Sequence, residues 1–221
     1  MLIVITGASG SGKSSIANYL ASLNPQIIQL DIDKIGHLVI NRKDVIKELI
    51  SSFNLLPLED GSICRKELAS IVFNDQLKMD RLTELTWKYM EEEIDKIISK
   101  NKDKIIIMDW LLTIKTKYFA NSDLKILVKA NFNNRLKRAM ERDNISKKKF
   151  IEREKAGVEF NENEFDYIIE NNDIEISKEK VMMLYDKSII PRKFWPYYKR
   201  TYEYYKSSNT IIWWSSYSYS C

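Results

Sequence analysis

Two cysteines, four prolines and six glycines are all that 221 residues contain of these types, and no apolar run reaches membrane length. Each scarcity removes a class of protein. Cys64 and Cys221 stand far apart and outside any metal-ligand spacing. Neither a disulfide scaffold nor a zinc cluster is expected, and a reduced, cytoplasmic protein is the simple reading. The first apolar run, Leu2 to Thr6, has no basic leader and stops at Gly7. It is neither a secretion signal nor a membrane span. Lys and Arg outnumber Asp and Glu by only 35 to 31. That mild excess suits a phosphate-rich ligand and does not call for nucleic acid. No internal repeat divides the chain. What remains is a globular chain, 44% hydrophobic and 30% charged, long enough for one domain with an insert or an appendage.

Three of the six glycines fall in one short stretch. Gly7-Ala8-Ser9-Gly10-Ser11-Gly12-Lys13-Ser14 fits G-x-x-x-x-G-K-[ST], the pattern of a phosphate-cradling P-loop. The apolar run before it predicts a buried strand. After it, Ile16, Ala17, Tyr19, Leu20 and Leu23 recur at helical spacing. Strand, glycine loop and helix are the context the motif needs. A glycine-rich loop can aim its N–H groups inward at a phosphate, and the helix start adds partial positive charge there. Gly7, Ser9, Gly10, Ser11, Gly12, Lys13, Ser14 and Ser15 are therefore the expected ATP-binding residues. Lys13 would reach the β- and γ-phosphates. The Ser14 hydroxyl would sit on Mg²⁺, with Asp31 or Asp109 reaching the ion through water.

Further along, Gln26 to Leu30 predicts a second strand, which runs into Asp31-Ile32-Asp33. In an open parallel sheet, strand C-terminal ends line the ligand crevice. Two acids spaced by two on an extended segment would point the same way. Asp33 is then a candidate general base for a hydroxyl, with Asp31 beside it. The alternative is a helix cap at Asp33. Residues 34 to 103 look helical, with a break at Leu55 to Gly61, and are too long for a simple crossover. They are expected to form an insert that covers the substrate. Lys104 to Asp109 predicts a third strand ending in an acid, the usual orienter of Mg²⁺ beside a P-loop. Leu124 to Val128 predicts a fourth strand. From Asn133 to Asp143, Arg135, Arg138 and Arg142 share one helix face and read as a lid over phosphates. Phe165 to Asn171 closes the core as a last strand and turn.

Residues 191 to 221 hold 11 aromatics interleaved with basic residues. They read either as an extra helix and loose tail packed on the domain, or as a surface for bases or a partner. The overall expectation is an α/β P-loop kinase: a parallel sheet flanked by helices, with a helical insert on the acceptor side and a helical lid. Residues 1–176 form the kinase domain, with the insert at about 34–103 and the lid at about 133–157. Residues 177–221 form a C-terminal, helical, aromatic-rich extension.

Several stretches resemble the dephospho-CoA kinase family. Thr6-Gly7 through Ser14 is similar to its P-loop, and Leu30 through His37 to its Asp-x-Asp segment. Asp60-Gly61-Ser62-Ile63-Cys64-Arg65-Lys66-Glu67-Leu68-Ala69, with Ile71-Val72-Phe73-Asn74-Asp75, is the most similar stretch. Arg138 to Asp143 resembles its lid, and Phe165 to Asn171 its adenine-side turn. The resemblance implies transfer of the ATP γ-phosphoryl to the 3′-hydroxyl of dephospho-CoA. Asp33 would be the base, Lys13, Arg138 and Arg142 would neutralise charge, Arg65 and Lys66 would hold the acceptor with Asp31 and Asp109 nearby, and Asn171 would lie by the adenine. Trp87-Lys88 stands where the family has His-Pro, and Asp109-Trp110-Leu111-Leu112 lacks the family's proline. A nucleoside or nucleotide kinase with the same machinery is the alternative among enzymes. An ATP-dependent module that binds RNA or protein through the tail is the alternative from another class. The oligomeric state is left open.

Lys13 should sit in the loop mouth, where its truncation removes no core packing. Lys13→Ala is expected to lower turnover by about 10²–10³, the scale of deleting one transition-state donor, with the melting temperature unchanged. Steady-state kinetics beside a thermal melt checks this, and near-normal turnover would contradict the P-loop reading.

Overall fold

The structure, a computed structural model, describes residues 1–72, 75–155 and 157–190. The aromatic segment from residue 191 onward, together with Phe73 and Asn74, lies outside the described residues. Within them, five strands form one parallel sheet: β1 (Leu2–Thr6), β2 (Ile27–Leu30), β3 (Ile105–Asp109), β4 (Leu124–Lys129) and β5 (Tyr167–Glu170). Their order is β2-β3-β1-β4-β5. The chain leaves central β1, runs out to edge strand β2, returns to β3, and crosses to β4 and β5. Every neighbouring pair is parallel, so each strand must be followed by a crossover, and the helices supply it.

The helices are α1 (Lys13–Ser22), α2 (Ile32–Ile40), α3 (Lys43–Phe53), α4 (Arg65–Val72), α5 (Gln76–Lys100), α6 (Lys117–Ala120), α7 (Phe132–Asp143), α8 (Lys147–Lys155) and α9 (Ile174–Leu184). Strand side chains alternate between faces, and this sheet is covered on both. Ile3 and Ile5 of β1 and Ile105 and Ile107 of β3 join Ile16, Ala17 and Leu20 of α1 and Val181 and Leu184 of α9. The intervening residues Val4, Ile106 and Met108 face the other way. They pack with Ile35 and Val39 of α2, Leu49 of α3, and Leu85 and Ile94 of α5. Burial on both faces explains why the strands read as continuous β-branched runs instead of alternating ones.

The expected insert is present as α2 to α5. Its longest helix begins at a capping acid: the Asp75 side chain accepts the Lys78 N–H at 3.1 Å at the start of α5. The break at Leu55 to Gly61 is a turn in which Asp60 accepts from the Ser62 N–H at 2.9 Å. The insert is therefore built into the second core. Leu49 is fully buried there. Leu49→Ala is expected to cost about 2–5 kcal/mol by lost transfer energy plus a cavity, read from the urea midpoint. A loss below about 1 kcal/mol would mean that the insert is only loosely docked.

Candidate active site

The P-loop follows the central strand and is held by close approach. Gly10 has φ +75°, and a methyl carbon there would lie 2.3 Å from the Arg135 carbonyl oxygen. Gly12 has φ +88°, and a methyl carbon there would lie 2.1 Å from Asn171 Nδ2. Only glycine meets both the backbone conformation and the space. The Ser11 N–H closes a turn onto the Ala8 carbonyl at 3.0 Å. Gly12 then becomes the N-cap of α1, with no side-chain cap and no acid in the first turn. The first amides of α1 and its dipole thus remain available to an anion.

Asn171, with Arg135 and Arg138 of α7, holds this loop from behind. Asn171 Nδ2 donates to the Ser11 carbonyl at 2.8 Å. Arg138 Nη1 donates to the Asn171 carbonyl at 2.9 Å and reaches the Ser11 carbonyl at 3.4 Å. Arg135 pairs with Glu154 of α8 at 2.5 Å, and its Nη1 lies 3.5 Å from the Ser9 carbonyl. The expectation was three guanidinia on one face over the phosphates. The structure divides them: Arg135 and Arg138 engage the backbone of the loop and its neighbours, and Arg142 lines the cleft in front of it. Arg142 is bidentate to Asp143, at 2.7 and 3.0 Å, and Arg153 meets the same carboxylate at 2.6 Å. The Arg142 bond and that second guanidinium hold the Asp143 carboxyl well below the usual carboxylate range.

The cleft has a volume of about 770 Å³. Lys13, Ser14, Asp31, Asp33 and Asp109 all line it, with Trp110, Arg142 and Asp143. It opens at the C-terminal ends of β2 and β3, where an open parallel sheet places its ligands. One detail of the expected geometry is corrected. Asp31 and Asp33 are not two like-facing residues of an extended segment, because α2 begins at Ile32. Ile32, Ile35 and Val39 are its buried residues, a helical spacing that starts before Asp33. The cap is Asp31, whose Oδ1 accepts the Lys34 N–H at 2.8 Å. Asp33 is left in the exposed first turn, uncommitted to capping.

Asp109 ends β3 half-buried, and its Oδ1 has no hydrogen-bond partner among the described residues. Burial pushes its carboxyl above the ordinary range. The Ser14 hydroxyl and the Lys13 charge oppose the rise, and the Asp33 charge adds to it. A buried carboxylate oxygen without a partner beside a serine hydroxyl is a donor set suited to a hard cation that keeps most of its waters. Among the described residues, no three His, Cys, Asp or Glu side chains gather into a metal cage.

Arg65 and Lys66 are not brought to this cleft. Both are exposed at the start of α4. Arg65 reaches across to α2 instead, contacting His37 Nδ1 at 3.3 Å and Asn41 Oδ1 at 3.2 Å. Trp110 and Asp143 are among the cleft residues that were not expected as site residues from sequence. The position of Trp110 directly after the strand-ending Asp109 was the available signal for the first. For the second, the signal was its place at the end of the stretch that resembles the family's lid.

A parallel sheet with a glycine loop on its central strand, a helical insert over one face and an arginine helix behind the loop is a P-loop kinase. Residues 1–176 match the family model of dephospho-CoA kinase, and the chain belongs to that family of ATP-dependent small-molecule kinases. Among curated relatives, a dephospho-CoA kinase of Aquifex aeolicus is 32% identical over 191 residues, covering 84% of this chain and 96% of its own. One from Fusobacterium nucleatum is 31% identical over 176 residues, covering 78% and 90%. A crystal structure of a Thermus thermophilus protein shares the fold, with a TM-score of 0.68 at 23% identity, covering 83% of this chain and 94% of its own. Among the described residues, no helix is long and apolar enough to cross a membrane.

The state of Asp109 has a consequence for stability. The folded chain binds the Asp109 proton more tightly than the unfolded chain does. Ionising it therefore costs stability as pH rises from the ordinary carboxylate pKa through the raised one. Asp109→Asn is expected to raise the melting temperature of the ligand-free protein near neutral pH. The gain should shrink as pH falls toward the ordinary carboxylate range. Thermal melts of both proteins across that interval check it, and a lower melting temperature at neutral pH would mean that Asp109 is held by attraction and not strained by burial.

Proposed function

We propose that this protein transfers the γ-phosphoryl group of ATP to the 3′-hydroxyl of dephospho-CoA. The observation that carries the reading is the convergence of Lys13, Ser14, Asp33 and Asp109 on one cleft at the strand ends, in a chain of this family. Phosphoryl transfer asks the protein mainly for position and for charges opposite the phosphate oxygens. The loop amides and the α1 N-terminus bind the donor phosphates, and Lys13 reaches the β- and γ-phosphates. Ser14 would hold Mg²⁺ by its hydroxyl, with Asp109 or Asp31 placed to help through water; when bound, the ion would neutralise phosphate charge. Arg142 adds positive charge from α7. Arg138 sets the shape of the loop through the carbonyls it binds, and adds its charge from behind. Asn171 fixes the loop against the end of β5 on the adenine side.

Asp33 is the group proposed to take the proton. The acceptor oxygen forms its bond to the γ-phosphorus as the bond from that phosphorus to the β,γ-bridging oxygen breaks. The hydroxyl proton passes to the Asp33 carboxylate, and ADP leaves. Arg65 and Lys66 serve the acceptor only where it extends out of the cleft along the insert.

The Asp33 assignment separates cleanly from capping, because Asp31 is the cap. Asp33→Asn keeps the size and leaves α2 capped. It is expected to lower turnover with dephospho-CoA by about 10²–10⁴, the range for losing a general base, while ATP affinity stays nearly intact. Turnover is read as ADP release, with the 3′-phosphorylated product identified by mass. An Asn variant that turns over like wild type would remove Asp33 from the chemistry.

A further inference from the structure

The indole rings of Trp87, midway along α5, and Trp110, directly after β3, stack with centroids 5.2 Å apart and planes 13° from parallel. Both are half-buried against the insert-side core. Trp110 also lines the cleft that holds Asp33, Asp109 and Lys13, and Trp87 is not among the cleft's lining residues. The pair is thus more than core filling: one indole reaches the reaction cleft and the other backs it. Polar and charged groups otherwise dominate that wall, from Asp31, Asp33, Asp109, Lys13 and Arg142. A large π-surface among them has one obvious use. It offers a stacking face to a planar ring whose own polar edges meet the surrounding groups.

We propose that Trp110, held in place by Trp87, is a specificity determinant that stacks on the purine ring of the acceptor. This rests on the reading that the acceptor bears an adenosine whose ribose hydroxyl is phosphorylated. The ribose is directly bonded to the base. A base seated on Trp110 therefore keeps its sugar in the part of the cleft where Asp33 stands. Trp87 touches no substrate and is a positioning residue: its parallel ring fixes the plane that Trp110 presents. A planar π-surface is needed, so a side chain of similar bulk without a ring should not substitute. The donor phosphates are gripped by the loop and α1, so donor use should not depend on the pair.

Full-length wild type, Trp110→Phe, Trp110→Leu and Trp87→Leu are compared, each variant keeping apolar bulk so that the fold survives. Trp110→Leu should raise the KM for dephospho-CoA about tenfold or more, the scale of one base–aromatic stack. Trp110→Phe should recover most of that loss, Trp87→Leu should show a smaller rise, and the KM for ATP should hold. Calorimetric binding with the donor site filled by ADP provides a second readout. Dephospho-CoA should bind more weakly to Trp110→Leu, and 4′-phosphopantetheine, which lacks the base, should bind all four proteins alike. Equal effects of Phe and Leu at position 110, a rise in the KM for ATP, or equal loss of the base-free ligand would each overturn the inference. If wild type releases no ADP with dephospho-CoA, the acceptor reading fails by itself. The stacking inference is then decided by calorimetry alone: weakened binding in Trp110→Leu with recovery in Trp110→Phe supports it, and identical titrations in all proteins overturn it.

Discussion

The phosphate loop can exist in this form only because Gly10 and Gly12 put no side chain into the space behind it. At Gly10 the backbone meets the Arg135 carbonyl, and at Gly12 it meets the Asn171 amide, both closer than any side-chain carbon allows. Residues from the first turn of the chain, from α7 and from the end of β5 are thereby pressed into one layer. The Ser11 carbonyl faces that layer and accepts from both Asn171 and Arg138. With the Ser11 carbonyl held behind, the uncapped first amides of α1 remain available at the front. Anion binding at the front and hydrogen bonding at the back are two sides of one arrangement of peptide planes.

The cleft is electrostatically uncomfortable without its ligands. Asp109 is half-buried, with a carboxylate oxygen that has no partner among the described residues, near Lys13 and Asp33. Such groups cost stability and are retained where chemistry uses them. Arg142 has a different solution, since Asp143 occupies its guanidinium fork and is itself shared with Arg153. Arg135, Arg142 and Arg153 of α7 and α8 are thus paired with carboxylates in the ligand-free state. By contrast, Asp33 is exposed in the first turn of α2 and, among the described residues, has no hydrogen bond to give up before it meets a substrate.

Much of this was legible in the sequence, and the exceptions have physical reasons. The P-loop, the parallel strands and the insert announce themselves through local pattern: glycine spacing, β-branched runs and 3.6-residue periodicity. The arrangement of the two acids after β2 was not read correctly. Alternation by two holds only on extended chain, and Ile32, Ile35 and Val39 had already set a helix from residue 32. The parting of the three arginines was hidden because helical spacing gives a shared face but not its partners. Glu154, which takes Arg135, lies on the next helix, and the carbonyls that take Arg138 belong to Ser11 and Asn171. The Trp87–Trp110 stack is likewise a tertiary fact. The two positions had been noted singly as departures from the family pattern, and only packing of α5 against the end of β3 makes them one feature.

The alternation of the central strands also partitions the molecule's history. Ile105 and Ile107 answer to the helices that support the phosphate loop, while Ile106 and Met108, their immediate neighbours, answer to the insert. A strand a few residues long thus carries two separate sets of obligations, interleaved along the chain yet insulated in space. Repacking on the insert side can proceed residue by residue without a matching change across the sheet. A lineage with this architecture can redraw what it grips on the insert face while keeping the packing beneath its phosphate loop. The indoles at 87 and 110, both on the insert side, have the character of such a local revision.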